Sequence, residues 1–288
     1  MTALARWLGE HRAARIAATV ALFPLPFIAI ASAAIVAFTT IGKGWREAGQ
    51  DILFGGAALA ALAVIAGIGW LQLLGVAALS WSVAMLAAHL YRRWSLDLAL
   101  QVLVLVGVAG AMALQLVQPD SAVYWRDVLG SIRETAITSG IEMPAEVVAQ
   151  AAEVMTGVMG AFFLGAAVMA LCLGAWLAGG GFSARFRELR MGRIIGALAA
   201  GLLVLASVGN ADFADDLLIV ILVGFILQGL AVLHWQAVRR AWPPYWAVAV
   251  YLPLVLVPAV GVLECGLLAI VGLLDNAVSL RRPEPGMV

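Results

Sequence analysis

From Ile52 to Tyr91 the chain reads ILFGGAALAALAVIAGIGWLQLLGVAALSWSVAMLAAHLY, without a single Asp, Glu, Lys or Arg. Crossing the roughly 30 Å hydrocarbon core of a bilayer takes about 20 apolar residues as a helix, so this block is about twice one crossing. Gly67, Gly69 and the polar Gln72 lie near its middle and mark a tight turn. Two apolar helices joined by a short turn are therefore predicted, and that reading sets the class of the whole chain.

Working outward, further apolar blocks run at about 16–42, 98–117, 154–179, 194–208, 217–238 and 245–274. Of the 288 residues 64% are hydrophobic and 12% charged, where a soluble domain runs nearer about 45–50% apolar and 25% charged. The expected fold is all-α: a polytopic transmembrane helix bundle forming a single integral membrane domain over 1–288. Blocks 16–42 and 245–274 are long for one upright helix and short for two. Each holds a proline pair, Pro24 with Pro26 and Pro253 with Pro258. Proline removes a backbone donor and clashes with the preceding turn, so a kink or break is expected at both places.

Cytoplasmic loops near span ends carry the Lys/Arg excess, which lets arginine placement decide the path. The basic connections are the N-terminus, Lys43/Arg46, Arg92/Arg93, Arg185/Arg187/Arg190/Arg193, Arg239/Arg240 and Arg281/Arg282. Segments 118–153 and 209–216 are acidic in balance. Putting every basic loop inside makes 16–42 cross twice, with an outer turn at Phe23-Pro24-Leu25-Pro26, and makes 245–274 a hairpin or re-entrant pair. About eight to ten membrane helices result, with the N-terminus cytoplasmic. Segment 118–153 then reads as an extracytoplasmic amphipathic loop of two short helices, a cap over the bundle. Val128, Leu129, Ile132 and Ala136 share a face of the first, and Val147, Val148, Ala151 and Ala152 line the second. Residues 283–288 read as a disordered tail.

Formal net charge is zero, which gives no reason to expect a nucleic-acid partner. One lysine against sixteen arginines is a usage associated with GC-rich bacterial genomes. Cys172 and Cys265 have no CxxC neighbour and read as small packing residues. No glycine-rich phosphate loop, HExxH or GxSxG occurs, so neither enzyme chemistry nor a cofactor or metal is expected.

An ionisable or amide side chain inside an apolar span is costly and is the first place to look for function. Glu264, in Val260-Gly261-Val262-Leu263-Glu264-Cys265-Gly266, reads either as a ligand-binding or proton-linked carboxylate, or as a group bonded to a neighbouring helix. Gln228, beside Gly229, reads as helix-to-helix glue or as a ligand contact. Trp70, Trp81, Trp94, Trp235, Trp242 and Trp246 fit an interfacial aromatic belt. Asp215 or Asp216 is placed to cap a helix beginning at Leu217. Arg185, Arg187, Arg190 and Arg193, interleaved with Phe182, Phe186 and Leu189, suit contact with anionic lipid or the docking of a cytoplasmic partner. Small residues recur at four-residue spacing in Ala13/Ala17/Ala21, Ala29/Ala33/Ala37, Gly157/Ala161/Gly165 and Gly192/Gly196/Ala200, a pattern that lets helices approach closely.

Three stretches resemble the YybS-like family of bacterial membrane proteins: Gly42-Lys43-Gly44-Trp45-Arg46-Glu47-Ala48-Gly49, Phe225-Ile226-Leu227-Gln228-Gly229-Leu230-Ala231-Val232, and Gly272-Leu273-Leu274-Asp275 followed by Arg281. A more distant likeness is to the S components, the substrate-capture subunits of energy-coupling-factor vitamin transporters. Phe23-Pro24-Leu25-Pro26-Phe27 looks like the outer turn after their first helix, and Ala13/Ala17/Ala21 resembles their AxxxA ridge for docking on a coupling subunit. The likeness implies a bacterial cytoplasmic membrane protein that binds or transports a small molecule, with Gln228 and Glu264 as polar contacts, and that takes its energy from a partner ATPase. The rival expectation is a non-transporting scaffold or assembly factor that docks proteins through its basic loops.

Overall fold

The computed structural model describes residues 3–25, 28–67, 69–118, 120–179, 181–208, 212–256 and 258–281, with backbone alone at 212, 255, 258 and 259. Among these residues the chain forms thirteen helices and no strand: α1 (Ala3–Glu10), α2 (Arg12–Leu22), α3 (Ala29–Lys43), α4 (Trp45–Ile65), α5 (Trp70–Arg93), α6 (Leu96–Val117), α7 (Ser121–Thr138), α8 (Ala145–Leu177), α9 (Phe182–Arg187), α10 (Gly192–Val208), α11 (Asp212–Arg239), α12 (Trp246–Leu256) and α13 (Pro258–Val278). Six of them, α4, α5, α6, α8, α11 and α13, are long and apolar enough to cross a membrane, and α3 and α10 are shorter apolar helices. The chain is an all-helical, multi-pass integral membrane protein.

The Ile52–Tyr91 block divides where its glycines lie. After α4 the Gly67 N–H donates to Val64 O at 3.2 Å with φ +67°, a left-handed conformation that a side chain resists. Gly44 plays the same part between α3 and α4, at φ +105° with its N–H shared between Thr39 O and Thr40 O. Both proline-bearing blocks are also divided, α2 from α3 and α12 from α13. Pro258 opens α13, where its missing N–H costs nothing. Yet α2 and α12 have 11 residues each, about 16 Å at 1.5 Å per residue, which is half of the hydrocarbon thickness. Pro26 and Phe27 of the expected outer turn lie outside the described residues, as do Arg282 and the 283–288 tail.

Segment 118–153 departs from expectation. Its first helix is α7, but the second is the start of α8, which runs unbroken for 33 residues into the apolar block. Ala, Glu, Gln and Met favour helix on both sides of the change in polarity, so nothing stops the helix there. α7 buries none of its residues. It is tied down by Trp125 Nε1 donating to Thr156 Oγ1 at 2.9 Å and Arg133 Nε donating to Met143 O at 2.7 Å.

The chain divides into two compact units, Met1–Leu103 with Gly165–Leu189, and Val104–Leu164 with Arg190–Val288. The first is built around α3, in which every residue from Ser32 to Thr40 is buried, as befits a helix surrounded on all sides. Ala33 and Ala37 of the small-residue ridge take part. A Cβ on Gly174 of α8 would stand 2.7 Å from Ala37 Cβ and 2.8 Å from Phe38 N, so only glycine admits that contact. Trp81, expected in an interfacial belt, is instead the largest side chain of this core and 1% exposed. Its Nε1 donates to Ser32 Oγ at 2.9 Å, Ser32 Oγ donates to Thr19 O at 2.7 Å, and its ring meets Phe23 edge-on.

The second unit is built around α11, more than half of whose apolar window is buried. Glycines of three neighbours press on it. Gly160 of α8 and Gly107 of α6 face Val220, Gly157 of α8 faces the Asp216 backbone, and Gly272 of α13 faces the Phe225 carbonyl oxygen. Gly229 of α11 in turn faces the Leu268 carbonyl oxygen. In the predicted ridge Gly157/Ala161/Gly165 only Gly157 makes such an approach, and Gly165 has no neighbour within 4 Å of a built Cβ. Gly160 takes the place of Ala161, because the 3.6-residue turn carries the contact face off a strict four-residue row.

Candidate functional site

The most concentrated polar chemistry of the second unit lies where α11, α13 and the start of α10 meet. Gln228 and Asp275 are fully buried and Arg281 is 8% exposed. The Gln228 side chain accepts from the Met191 backbone N–H at Oε1 (2.9 Å) and donates from Nε2 to Asp275 Oδ2 (2.7 Å). Past the end of α13, Ser279 adopts φ +53°. Arg281 then donates from Nε to Asp275 Oδ1 (3.2 Å) and from Nη2 to Oδ2 (2.5 Å), a bidentate ion pair. Beside it Asn276 Nδ2 donates to Gly192 O at 3.1 Å and Arg190 Nη1 to Ser279 Oγ at 3.1 Å. The glycines that bring α11 and α13 into contact, Gly229 and Gly272, flank this knot in sequence. Both ends of the Gln228 amide are thus engaged within the protein, the geometry of a side chain that joins helices.

A second charged cluster stands in the first unit, where α1 breaks at His11 and α2 begins. Arg15 is 1% exposed. It donates to Asp51 Oδ2 from Nε (3.1 Å) and Nη2 (3.0 Å), to Glu47 Oε1 (2.6 Å), and from Nη1 to the Leu8 and Gly9 carbonyls (3.2 Å each) that end α1. Arg12 adds Nε to Asp51 Oδ1 at 2.8 Å, and Lys43 lies 3.6 Å from Glu47. Position near the N-terminus suggested Arg12 and Arg15 as topology signals. Their carboxylate partners on α4, 32 to 39 residues away in sequence, are what position alone did not reveal. The opposite face of α2 carries Ala13, Ala17 and Ala21, all exposed.

Glu264 is half-buried in α13, and its Oε2 is shielded from solvent with no hydrogen-bond partner among the described residues. Cys172 and Cys265 are free, half-buried thiols. His234 Nε2 lies 2.7 Å from Tyr251 Oη, and its ring packs on Trp246. The four arginines after α8 are not a uniform patch. Arg185 lies over the Tyr91 ring at 4.9 Å, Arg190 bonds Ser279, Arg187 has partners, and Arg193 is exposed. Asp216 does not cap α11, which begins at Asp212. It is buried in the second turn, accepting from the Gly157 N–H (2.7 Å) and from Gln115 Nε2 (2.8 Å). The side chain of Asp212, and Asn210, lie outside the described residues.

Among the described residues no three His, Cys, Asp or Glu side chains converge as metal ligands would. Two open grooves are present. One of about 410 Å3 is lined by Ser131, Ile132, Thr135, Ala136, Ser139 and Ile141, and one of about 260 Å3 by Trp94, Ser95, Leu96, Asp97, Arg185 and Glu188. Gln228 and Glu264 line neither.

Helices and polar clusters together define a membrane-embedded helical protein with charged groups buried at its helix crossings. Compared with protein-family models, with curated proteins and with solved structures, the chain has no match.

Proposed function

We propose that this chain is a membrane-embedded subunit that binds a small molecule for transport and works in complex with a partner that supplies the energy, as the S components of energy-coupling-factor transporters do. The observation that carries this reading is the exposed face Ala13/Ala17/Ala21 on α2. Its back is fixed by buried Arg15, Thr19 and Val20, so a small-residue surface is offered at a rigid angle to another helix. Glu264, with one shielded and unpartnered oxygen, is the polar contact for the ligand. In this reading α3, α10 and the paired short helices join the six long ones to give eight to ten membrane helices. α7 with the first turns of α8 caps the outer side, and the N-terminus lies in the bacterial cytoplasm.

The experiment is purification of the tagged full chain in mild detergent, with mass spectrometry of what remains bound. An ATPase or coupling subunit should co-purify with the wild type and be lost from Ala13→Leu/Ala17→Leu/Ala21→Leu at unchanged thermal stability. Retention of the same partners by that variant removes α2 as the docking face. Reporter fusions after Asp120 and after Arg187 should report opposite sides of the membrane. The rival reading, a scaffold without transport, is favoured by the grooves, which are open and do not reach Gln228 or Glu264. It predicts recovery of envelope or soluble proteins, lost on charge reversal of exposed Arg193.

A further inference from the structure

Residues 94 and 95 join two candidate spans, α5 and α6, so they lie where hydrocarbon gives way to lipid headgroups. The open groove of about 260 Å3 is set at this joint, with Trp94, Ser95, Leu96, Asp97, Arg185 and Glu188 around it. Its charge pattern is specific: one guanidinium and two carboxylates. A simple anion would meet the carboxylates, and a simple cation would meet Arg185. A molecule that carries both signs a few bonds apart matches all three.

The groove's parts are held in place by their neighbours. Arg185 stacks on Tyr91 at 4.9 Å and donates from Nη1 to Tyr91 O at 3.4 Å. A guanidinium has five N–H donors in a planar fork, so the contacts with Tyr91 orient Arg185 without using every donor. Ser95 Oγ accepts from the Leu98 N–H at 3.1 Å and so fixes the start of α6, which carries Asp97 in its first turn. Glu188 is exposed at the end of α9. Trp94, 60% exposed, packs edge-on against His89 and forms the apolar wall that an interfacial indole supplies.

We propose that this groove binds the headgroup of a phosphatidylethanolamine-type lipid, with the phosphate on Arg185 and the primary ammonium on exposed Glu188. The ammonium's three N–H groups match carboxylate acceptors. A trimethylammonium has none and calls for an aromatic cage, whereas Trp94 is the one aromatic residue lining the groove. An anionic headgroup without an amine would leave Glu188 without a partner. The inference rests on the membrane placement of α5 and α6 and is independent of whether the chain transports anything.

The test is native mass spectrometry of the full-length protein released from micelles that hold equal amounts of phosphatidylethanolamine, phosphatidylcholine and phosphatidylglycerol with the same acyl chains. One phosphatidylethanolamine should remain per chain, in about fivefold excess over either competitor, the value of one exposed charge pair. Glu188→Gln should bring phosphatidylethanolamine down to the level of phosphatidylcholine. Arg185→Gln should lower the retention of all three lipids, since each carries the phosphate. Arg193→Gln, outside the groove, should leave the preference intact. Equal retention of the three lipids by the wild type, preference for phosphatidylglycerol, an unchanged preference in Glu188→Gln, or its loss in Arg193→Gln would each overturn the proposal. Glu188 is exposed and bears no packing load, so its variant keeps the test sound even where Arg185→Gln disturbs the contact with Tyr91.

Discussion

Replacing Arg281 by Met should destabilise the protein far more than its place near the end of the chain suggests. Asp275 is fully buried and accepts from Arg281 at both carboxylate oxygens. Among the described residues its remaining bond is the one from Gln228 Nε2. Removing one partner of a buried ion pair leaves a desolvated charge and costs about 3–5 kcal/mol. Asp275→Asn should cost less, about 1–3 kcal/mol. Asparagine can keep its oxygen at the Oδ2 position, where it still accepts from Gln228 Nε2 and Arg281 Nη2, and loses the bond from Arg281 Nε. The double variant Asp275→Asn/Arg281→Met contains no buried charge at this position and should be more stable than Arg281→Met alone. Equilibrium unfolding in mixed micelles, followed by circular dichroism at 222 nm, reads all four proteins in one cycle. If Arg281→Met lies within about 1 kcal/mol of wild type, or if the double variant loses the sum of the singles, the knot does not hold α11 to α13 as described.

Other substitutions separate close contacts from open ones. Gly272→Ala places a methyl group against the Phe225 carbonyl and should cost about 1–3 kcal/mol. Gly266→Ala, on the same helix with nothing within 4 Å, should be neutral or gain up to about 1 kcal/mol from helix propensity; equal shifts in their unfolding midpoints would contradict the packing. Trp81→Phe loses the bond to Ser32 and should lower stability by about 1–2 kcal/mol, whereas Trp94→Phe should leave the thermal midpoint unchanged. Arg15→Met leaves Asp51 with Arg12 as its cationic partner and frees the carbonyls that end α1, at about 1–3 kcal/mol. Proteolysis at low protease concentration should then cut near His11 first, and an unaltered cleavage pattern would show that α1 is held by something else.

Much of the helical path was legible because it depends on short-range chemistry. A charge-free run twice the length of one crossing needs a turn, and Gly67 permits one. Proline breaks the hydrogen-bond ladder, and both proline-bearing blocks divide, after Leu22 and at Pro258, although Pro253 lies inside α12. The close approach at Gly229 also followed from a glycine beside an amide in an apolar helix. What could not be read is which distant group each polar side chain meets. Gln228 needs a partner, but Asp275 lies 47 residues on. Trp81 stands near a predicted span end like the belt tryptophans, yet Ser32, 49 residues earlier, draws it into the core. Asp216 has the position of a cap and is taken instead by Gln115, 101 residues away. The division between segment 118–153 and the apolar block failed for another reason: helix propensity does not register a change from polar to apolar, so α8 continues through it.

The first of the half-length helices bears on how the chain is made. At 11 residues α2 is about half the length that one crossing needs, and it carries Arg15, whose carboxylate partners belong to α4. While the ribosome is still producing α3, that arginine has no counter-ion and α2 has too few residues to anchor itself in lipid. The buried ion pairs of Arg15 can close only after Glu47 and Asp51 have been made. The order in which the first helices are synthesised is therefore not the order in which their buried contacts are completed.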